Sequence, residues 1–515
     1  MEPILFIHGY SAESATSAPE AVKAIYGNQN ANPNLNLPDA LRDALGVGAP
    51  DVFEIDLSRY VSLDDGVNLD DIARALQLAL EADFPHLLKP DTGFNAIVHS
   101  TGALVVRNWI RLFSAKPSPI RRLIYLAGAN FGSGWAHIGK GQLAQWARYV
   151  FQHGADAGIK VLDALELGSD ETLNLHRAFI QEGCTMARSY EVREAVIIGS
   201  QPHVSWFEVP IRYAKEDGSD GVVRVSASNV NFHYLRLAAQ KGAHELGPNK
   251  IDDYLTSFRN REAGLPSYYE IVETSRPGDA NRPQVPLAIP FQASHSGDET
   301  GIVGGAAPRV QVIRLLKAAL TTAPADWQTL VDQFTDETRG TLQRVLAFNP
   351  PKWWEKWIFN TCKQYDGHSQ VILRLRDQDG RPVEHYDIFF NSISGKRDRS
   401  LPFNDLIEDK HLNTHNGNIF VLYLRTSTYQ GKLSSTDEPD PLNNQWVLRV
   451  PQVNGCSLEI SAIEPDTNSV RYLPMRFDFS PDQLNSWLMP HRTTVIDVEL
   501  LRLPQREVYL ILRDK

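Results

Sequence analysis

The sequence of 515 residues lacks the features of several specialised classes of protein. Its three cysteines are far apart and odd in number, which argues against a disulfide framework, and no pair of them has the spacing of zinc ligands. No segment approaches the roughly 20 apolar residues of a membrane-spanning helix. The formal net charge of -11 argues against nucleic acid or an anionic membrane as an electrostatically attracted partner.

Motifs of cofactor chemistry are missing as well. The chain has no P-loop and no strand-linked G-x-G-x-x-G, and its carboxylates do not cluster with the spacing of metal ligands. We therefore expect no nucleotide cofactor and no metal.

The N-terminus has neither a basic segment nor a cleavable apolar segment, because residues 4–7 already read as a strand. A cytoplasmic location is the default expectation. Peripheral membrane association and export by a route other than Sec stay open.

What is present indicates two kinds of architecture in one chain. Up to about residue 320, short apolar strands alternate with amphipathic helices, which is typical of a parallel α/β fold. After residue 365 the apolar period changes to two, which predicts an antiparallel β-sandwich. The predicted domains are an α/β domain over 1–323, a helical tryptophan-rich linker over 324–364 and the sandwich over 365–515.

The most informative motif is the pentapeptide Val98-His99-Ser100-Thr101-Gly102, which lies between an apolar run and a helical pattern. It matches the nucleophile elbow of α/β-hydrolases, with Val98 in place of the first glycine. Such a turn lifts Ser100 Oγ above the sheet and puts the Thr101 amide at a helix N-terminus, where it can face an oxyanion. The motif therefore predicts Ser100 as a nucleophile on an α/β-hydrolase fold.

The other parts of such a site follow from chain order, which in α/β-hydrolases is serine, acid, histidine. Asp220 lies in a Gly-Ser-Asp-Gly segment beyond the strand predicted at Ala195–Gly199, and we interpret it as the acid. A plain hairpin turn is the structural alternative for that segment, and Asp217 is the local rival as the acid.

The base is predicted to be His295, on a loop rich in serine and glycine after the apolar residues Pro286–Pro290. Its rival is His244, which has Glu245 beside it and no strand before it. The other oxyanion donor is predicted to be the Tyr10 amide. Tyr10 follows Gly9, which lets the backbone turn closely over the site directly after the first strand.

Two aromatic segments bear on how a substrate would be reached. Residues 131–190 are longer than a normal crossover and place aromatic side chains at helical spacing, which predicts a helical cap or lid; plain packing of an extra subdomain is the alternative. Trp353, Trp354 and Trp357 follow a proline pair. They could seat in a membrane interface, but we favour packing between domains or subunits.

Four segments resemble the bacterial PlaB-type phospholipases A: Phe6–Tyr10, Asp56–Ser62, Val98–Gly102 and Ser219–Val225. The resemblance implies an N-terminal α/β-hydrolase domain joined to a C-terminal β-sandwich. It also implies a catalytic serine, aspartate and histidine at Ser100, Asp220 and His295. For function it implies deacylation of phospholipids and lysophospholipids, often at a membrane surface and by a homo-oligomer.

Three hypotheses follow. The leading one is a serine ester hydrolase acting on acyl lipids. The second is a carboxylesterase for small soluble esters, and the third is a non-catalytic membrane or assembly module built on the sandwich and the tryptophans.

Overall fold

The computed structural model describes most of the chain in a series of segments. They are residues 1–8, 37–57, 60, 65–89, 92–134, 159–201, 217–260, 262, 265–297, 299–347, 361–393, 401–430, 445–465, 467 and 469–504. Contacts divide the chain into two compact units. The first comprises Met1–Asn231, Pro277–Asp366 and Tyr429–Trp446, and the second Phe232–Arg276, Gly367–Thr428 and Val447–Lys515.

The strands, in chain order, are β1 (Ile4–His8), β2 (Val52–Asp56), β3 (Phe94–His99), β4 (Ile120–Leu126), β5 (Arg193–Ile197), β6 (His233–Ala239), β7 (Tyr269–Ser275), β8 (Leu287–Ala288), β9 (His368–Asp377), β10 (Tyr386–Ser392), β11 (Ile407–Leu412), β12 (Ile419–Arg425), β13 (Ser427–Gln430), β14 (Gln445–Leu448), β15 (Cys456–Ala462), β16 (Val470–Tyr472), β17 (Met475–Phe479), β18 (Thr493–Leu500) and β19 (Arg502–Pro504). The helices are α1 (Leu37–Leu45), α2 (Leu69–Asp83), α3 (Gly102–Phe113), α4 (Ile159–Leu165), α5 (Asp170–Ala178), α6 (Val225–Ser228), α7 (Lys241–His244), α8 (Pro248–Arg259), α9 (Arg309–Thr321), α10 (Trp327–Ala347), α11 (Thr361–Gln364) and α12 (Pro481–Trp487).

The first unit is built on a parallel sheet with the strand order β2-β1-β3-β4-β5-β8. Its central strand β3 is buried along its whole length, as expected for a parallel sheet covered by helices on both faces. Helices α2 and α3 pack against each other, and α9 contacts β4 and β5. This architecture agrees with the predicted α/β-hydrolase fold.

Local sequence explains why the helices of this unit begin where they do. In α2, the Asn68 side chain accepts hydrogen bonds from the amides of Asp70 and Asp71, and the Asp71 carboxylate accepts one from the Asn68 amide. This capping box satisfies backbone groups that a helix N-terminus leaves open. The apolar residues of α2 recur at three and four and are buried, which turns one face of the helix inward.

The second unit contains a six-stranded sheet of order β11-β12-β9-β18-β6-β7 and a three-stranded sheet of order β10-β15-β17. One hydrophobic core joins side chains of both sheets, among them Leu235, Leu373, Val498, Leu458 and Ile460. The six-stranded sheet is mixed, because β18 runs parallel to both β9 and β6. The other strand pairs of these two sheets are antiparallel, in agreement with the predicted sandwich. The parallel pairs of β18 could not be predicted, because alternating burial reports which face of a strand is inside and not which way its neighbour runs.

The unit boundaries differ from the predicted domain boundaries in one main respect. Phe232–Arg276, placed by the sequence within the α/β domain of 1–323, belongs to the second unit, where β6 pairs with β18. The alternation of strands and helices through this segment gives no sign of a partner more than 250 residues away in sequence. Helix α10, from the predicted linker, belongs to the first unit.

Several predicted features lie outside the described residues. They are the oxyanion donor Tyr10, most of the aromatic residues of the predicted cap (within 135–158), the tryptophans at 353, 354 and 357, and the final strand at 507–513. Of the predicted cap, residues 159–190 hold α4 and α5. In the part of the chain that the structure describes, no helix is long and apolar enough to cross a membrane.

Candidate active site

Ser100 occupies the turn between β3 and α3 and has a backbone φ of 53°. A non-glycine residue in this left-handed region is uncommon and is typical of a serine on a nucleophile elbow. Its backbone is held on both sides: the Ser100 amide donates to Leu126 O (3.2 Å), and Ser100 O accepts from the Ala129 amide (3.1 Å). The turn predicted from the pentapeptide is therefore present and tightly fixed.

His295 connects Ser100 to Asp220. Its Nε2 lies 3.1 Å from Ser100 Oγ, and its Nδ1 lies 2.9 Å from Asp220 Oδ2. The imidazole is 1% exposed, and the ring of His99 packs beside it with a centroid separation of 4.8 Å. A further hydrogen bond from the His295 amide to Asp220 O (3.0 Å) fixes the two backbones together. His295 therefore lies between the Ser100 hydroxyl and the Asp220 carboxylate.

Asp220 has both carboxylate oxygens engaged. Oδ2 faces His295, and Oδ1 accepts from the amides of Val222 (2.9 Å) and Val223 (2.7 Å). Gly218 and Gly221 on either side have positive φ, and the Asp220 amide donates to Val223 O. The segment is thus a tight turn that also carries the carboxylate, so the two interpretations of its sequence are compatible.

Neither rival is among the described hydrogen-bond partners of Ser100 or His295. Asp217 is partly exposed and forms an ion pair with Lys363, with Oδ2 and Nζ 3.0 Å apart. His244 is an exposed residue of α7 in the second unit.

The predicted oxyanion donors are only partly described. Thr101 is buried at the N-terminus of α3, directly after the serine. His8, the last residue of β1, is paired in register with His99, so β1 ends beside the residue that precedes Ser100. Tyr10 lies outside the described residues, and its role stays a prediction.

The sequence reasoning missed a group of buried or nearly buried polar residues in the first unit. They are Arg107, Asn130, Ser133, His176 and Glu194. The one signal that could have found them is an arginine within the apolar segment Leu104–Ile110 of α3. Burial, together with the charge of Arg107, holds the pKa of His176 well below its ordinary value. Among the described residues, no group of three histidine, cysteine or acidic side chains could hold a metal.

The fold resembles that of several solved structures. Phospholipase PlaB from Legionella pneumophila matches with a TM-score of 0.69 and 24% identity, covering 100% of this chain and 97% of that chain. The chain has the fold of PlaB over its whole length. The structure of PlaB in complex with thio-NAD matches equally well. The mature form of Bacillus licheniformis lipase BlEst2 matches 44% of this chain with a TM-score of 0.29 and 13% identity.

No family model matches the sequence, and no curated protein matches it. The resemblance to PlaB-type phospholipases is confirmed for the fold, including the α/β-hydrolase architecture and the β-rich C-terminal region.

Proposed function

We propose that the protein is a serine ester hydrolase that removes acyl chains from lipids, as a phospholipase A and lysophospholipase A. The observation that carries the proposal is the unbroken series of hydrogen bonds from Asp220 through His295 to Ser100. The fold shared with a bacterial phospholipase supports lipid as the substrate class. By the same resemblance we expect the reaction to take place at a membrane surface and the enzyme to be a homo-oligomer.

In the acylation step, His295 Nε2 takes the proton of Ser100 Oγ as that oxygen attacks the ester carbonyl carbon. Asp220 accepts a hydrogen bond from Nδ1, which keeps Nε2 free as the base and stabilises the imidazolium that forms. The imidazolium then protonates the leaving alcohol oxygen as its bond to the acyl carbon breaks. The alcohol leaves as a lysophospholipid or a glycerophosphodiester.

In the second step, water attacks the acyl-serine. His295 takes a proton from the water, the ester bond to Ser100 Oγ breaks, and the proton returns to that oxygen as the fatty acid leaves. In both steps the negative oxygen of the tetrahedral intermediate needs preorganised donors, and the amides of Thr101 and Tyr10 are the candidates. Every group in this mechanism is a side chain or amide of the chain itself.

The test is fatty-acid release from vesicles of diacyl phospholipid, from lysophospholipid, from triacylglycerol and from short nitrophenyl esters. We expect release from the first two, reduced by a factor of about 10⁴ or more in Ser100→Ala. The matched control is Ser114→Ala, directly after the last residue of α3, where the described hydroxyl contacts are Ala115 O and Ser118 Oγ and include none of the three proposed catalytic residues. That variant should keep wild-type activity.

The other outcomes select the alternatives. Activity confined to the nitrophenyl esters and lost in Ser100→Ala would indicate a carboxylesterase for small soluble esters. Equal hydrolysis by wild type and Ser100→Ala would exclude the proposed nucleophile and favour a non-catalytic membrane or assembly module.

A further inference from the structure

Residues 127–133, which follow β4 and are called the β4 loop below, contact both turns that carry the proposed catalytic side chains. The Ala129 amide donates to Ser100 O at 3.1 Å. At the other end of the loop, Ser133 Oγ donates to Val222 O at 2.5 Å, and the amide of this same Val222 donates to Asp220 Oδ1. One short loop therefore ties the serine turn to the aspartate turn.

Two further hydrogen bonds attach the β4 loop to the segment that follows Asp220. The Phe131 amide donates to Ala227 O at 2.9 Å, and Asn130 Nδ2 donates to Ser228 O at 2.8 Å. All of these residues are buried. Since solvent does not compete for buried hydrogen bonds, the position of the loop sets the spacing between the two turns.

His176 of α5 contacts the β4 loop by a hydrogen bond and by ring stacking. His176 Nε2 lies 2.7 Å from Asn130 O, and its ring stacks on Phe131 with a centroid separation of 3.9 Å and an interplanar angle of 10°. A carbonyl oxygen can only accept, so Nε2 carries the hydrogen. The same side chain therefore fixes the loop by a hydrogen bond and by a flat contact.

Arg107 fixes the tautomer of this histidine. A guanidinium can only donate, so its Nη2, 3.4 Å from His176 Nδ1, needs a lone pair on that nitrogen. Arg107 is itself held by Glu194 Oε1 (2.5 Å) and Tyr125 Oη (3.1 Å). It projects from α3, the helix that begins two residues after Ser100. The neutral form required by this geometry agrees with the lowered pKa of His176.

We propose that His176 is a positioning residue: its Nε2–H holds the β4 loop, and through that loop the backbones of Ser100 and Asp220, in register for the reaction. The inference rests on the proposed serine hydrolase function. A displacement of about 1 Å can lower a rate by about 100-fold, so loss of this contact should lower kcat. Substrate binding should be largely unaffected, because His176 is 1% exposed and presents no surface to a ligand.

The test separates the hydrogen bond from the stacking. His176→Phe keeps a flat ring against Phe131 but has no N–H, whereas His176→Gln restores an amide donor near Asn130 O. The matched control is His368→Phe in the second unit. This histidine is also buried and stacked, with its ring 4.5 Å from that of Tyr423 at 9°.

For each variant, kcat and KM for a nitrophenyl ester are measured per active site, with sites counted by titration with a fluorophosphonate. Counting sites removes any loss that comes only from a smaller folded fraction. We expect His176→Phe to lose 10- to 100-fold in kcat with KM within about twofold, as estimated from the displacement argument. By the same displacement argument, the kcat of His176→Gln should lie within about fivefold of wild type. His368→Phe should keep the wild-type kcat.

A wild-type rate per site in His176→Phe would overturn the inference, whatever happens to its thermal stability. So would an equal loss in His176→Gln or in His368→Phe. If His176→Phe gives no titratable sites, His176→Leu, which also lacks the donor, takes its place with the same expectation. Wild type and Ser100→Ala are run in parallel; equal rates for those two would overturn the proposed function, and the role of His176 with it.

Discussion

Ser100 has a backbone conformation that costs stability, and its neighbours impose it. The left-handed region disfavours a residue with a Cβ by about 1–2 kcal/mol, while glycine adopts it freely at some entropic cost in the unfolded chain. The φ of 53° is maintained by the hydrogen bonds to Leu126 and Ala129.

We therefore expect Ser100→Gly to be more stable than Ser100→Ala by about 0.5–1 kcal/mol, since both lack the hydroxyl and only alanine keeps the Cβ. Urea unfolding of the two variants measures the difference. Equal stability would show that the surroundings, rather than the Cβ, determine the energy of this turn.

The assignment of Asp220, rather than its neighbour Asp217, as the acid can be tested by single substitutions. Asp220→Asn should lower kcat by about 10³- to 10⁴-fold, because an amide no longer stabilises the imidazolium and favours the wrong tautomer of His295. Asp217→Asn is the matched control, since Asp217 pairs with Lys363 and should keep activity near wild type. The kcat for ester hydrolysis is measured for both variants. A comparable loss of kcat in Asp217→Asn would contradict the assignment of Asp220 as the acid.

His176 also predicts a pH dependence of stability. Burial and the charge of Arg107 hold its pKa well below 6.5, so on acidification the unfolded chain takes up a proton near pH 6.5 while the folded chain does not. The folded state therefore loses stability as pH falls below 6.5, by about 1.4 kcal/mol per pH unit for this one group.

In His176→Gln this contribution is absent. Between pH 7.5 and pH 5.0 the variant should lose less stability than wild type, measured by urea unfolding at the two pH values. Parallel losses in the two proteins would show that His176 is protonated in the folded state as well.

At the scale of elements, the loop that carries His295 depends on a glycine in another loop. A Cβ built on Gly199, just after β5, would lie 1.9 Å from Ala293 O and 2.4 Å from its carbonyl carbon. Ala293 is two residues before His295, so this close approach of two backbones sets the height of the histidine above the sheet.

Gly199→Ala should push the histidine loop away and lower kcat/KM by about 100-fold or more. The control is Gly340→Ala in α10, where an added Cβ meets nothing within 4 Å. That change should stabilise the protein by about 0.5–1 kcal/mol and leave activity unchanged. Nitrophenyl ester kinetics and thermal unfolding of Gly199→Ala and Gly340→Ala test the expected changes in activity and in stability. Wild-type activity in Gly199→Ala would mean that the two loops separate without moving His295.

Strand lengths show where local patterns mislead. The apolar run Val285–Pro290 predicts a strand, but β8 covers only Leu287–Ala288. Proline has no N–H to donate, so Pro286 and Pro290 limit the ladder, although Pro286 O still accepts from the Val196 amide. The segment stays beside β5 and delivers the chain to the histidine loop.

At the scale of the whole molecule, the sequence order of the chain and its division into units do not coincide. The chain leaves the first unit after Asn231 and returns at Pro277. Between these points lie the antiparallel strands β6 and β7, and β6 also pairs with β18 near the C-terminus. A fragment cut at residue 364 would retain β6 without this neighbour and expose core residues such as Leu235 and Leu237.

We therefore expect the 1–364 fragment to aggregate, because an unpaired strand edge with an apolar face associates with other chains. The control is a second 1–364 fragment in which a short Gly-Ser linker replaces 232–276. This fragment lacks the unpaired strand β6. The pairing of Tyr234 with Ser275 brings the two ends of the replaced segment together, so a short linker can span them. Size-exclusion chromatography compares the two fragments; a monomeric, fully active 1–364 fragment would contradict this account.

The sequence by itself determined what depends on near neighbours. The nucleophile turn, the parallel strand pattern of the first unit, and the order of serine, aspartate and histidine follow from turn residues and apolar periodicity, which act over a few positions. These patterns named Ser100, Asp220 and His295, and the structure brings their side chains into one hydrogen-bonded series.

Only the tertiary structure decided which partners distant segments find. It gave Ser100 the partner His295, paired Asp217 with Lys363, joined β6 to β18 in a mixed sheet, and placed His176 and Arg107 against each other behind the β4 loop. The physical reason is that buried hydrogen bonds and strand pairs depend on how the whole chain packs. Neither apolar periodicity nor a short motif carries that information, since both describe one segment at a time.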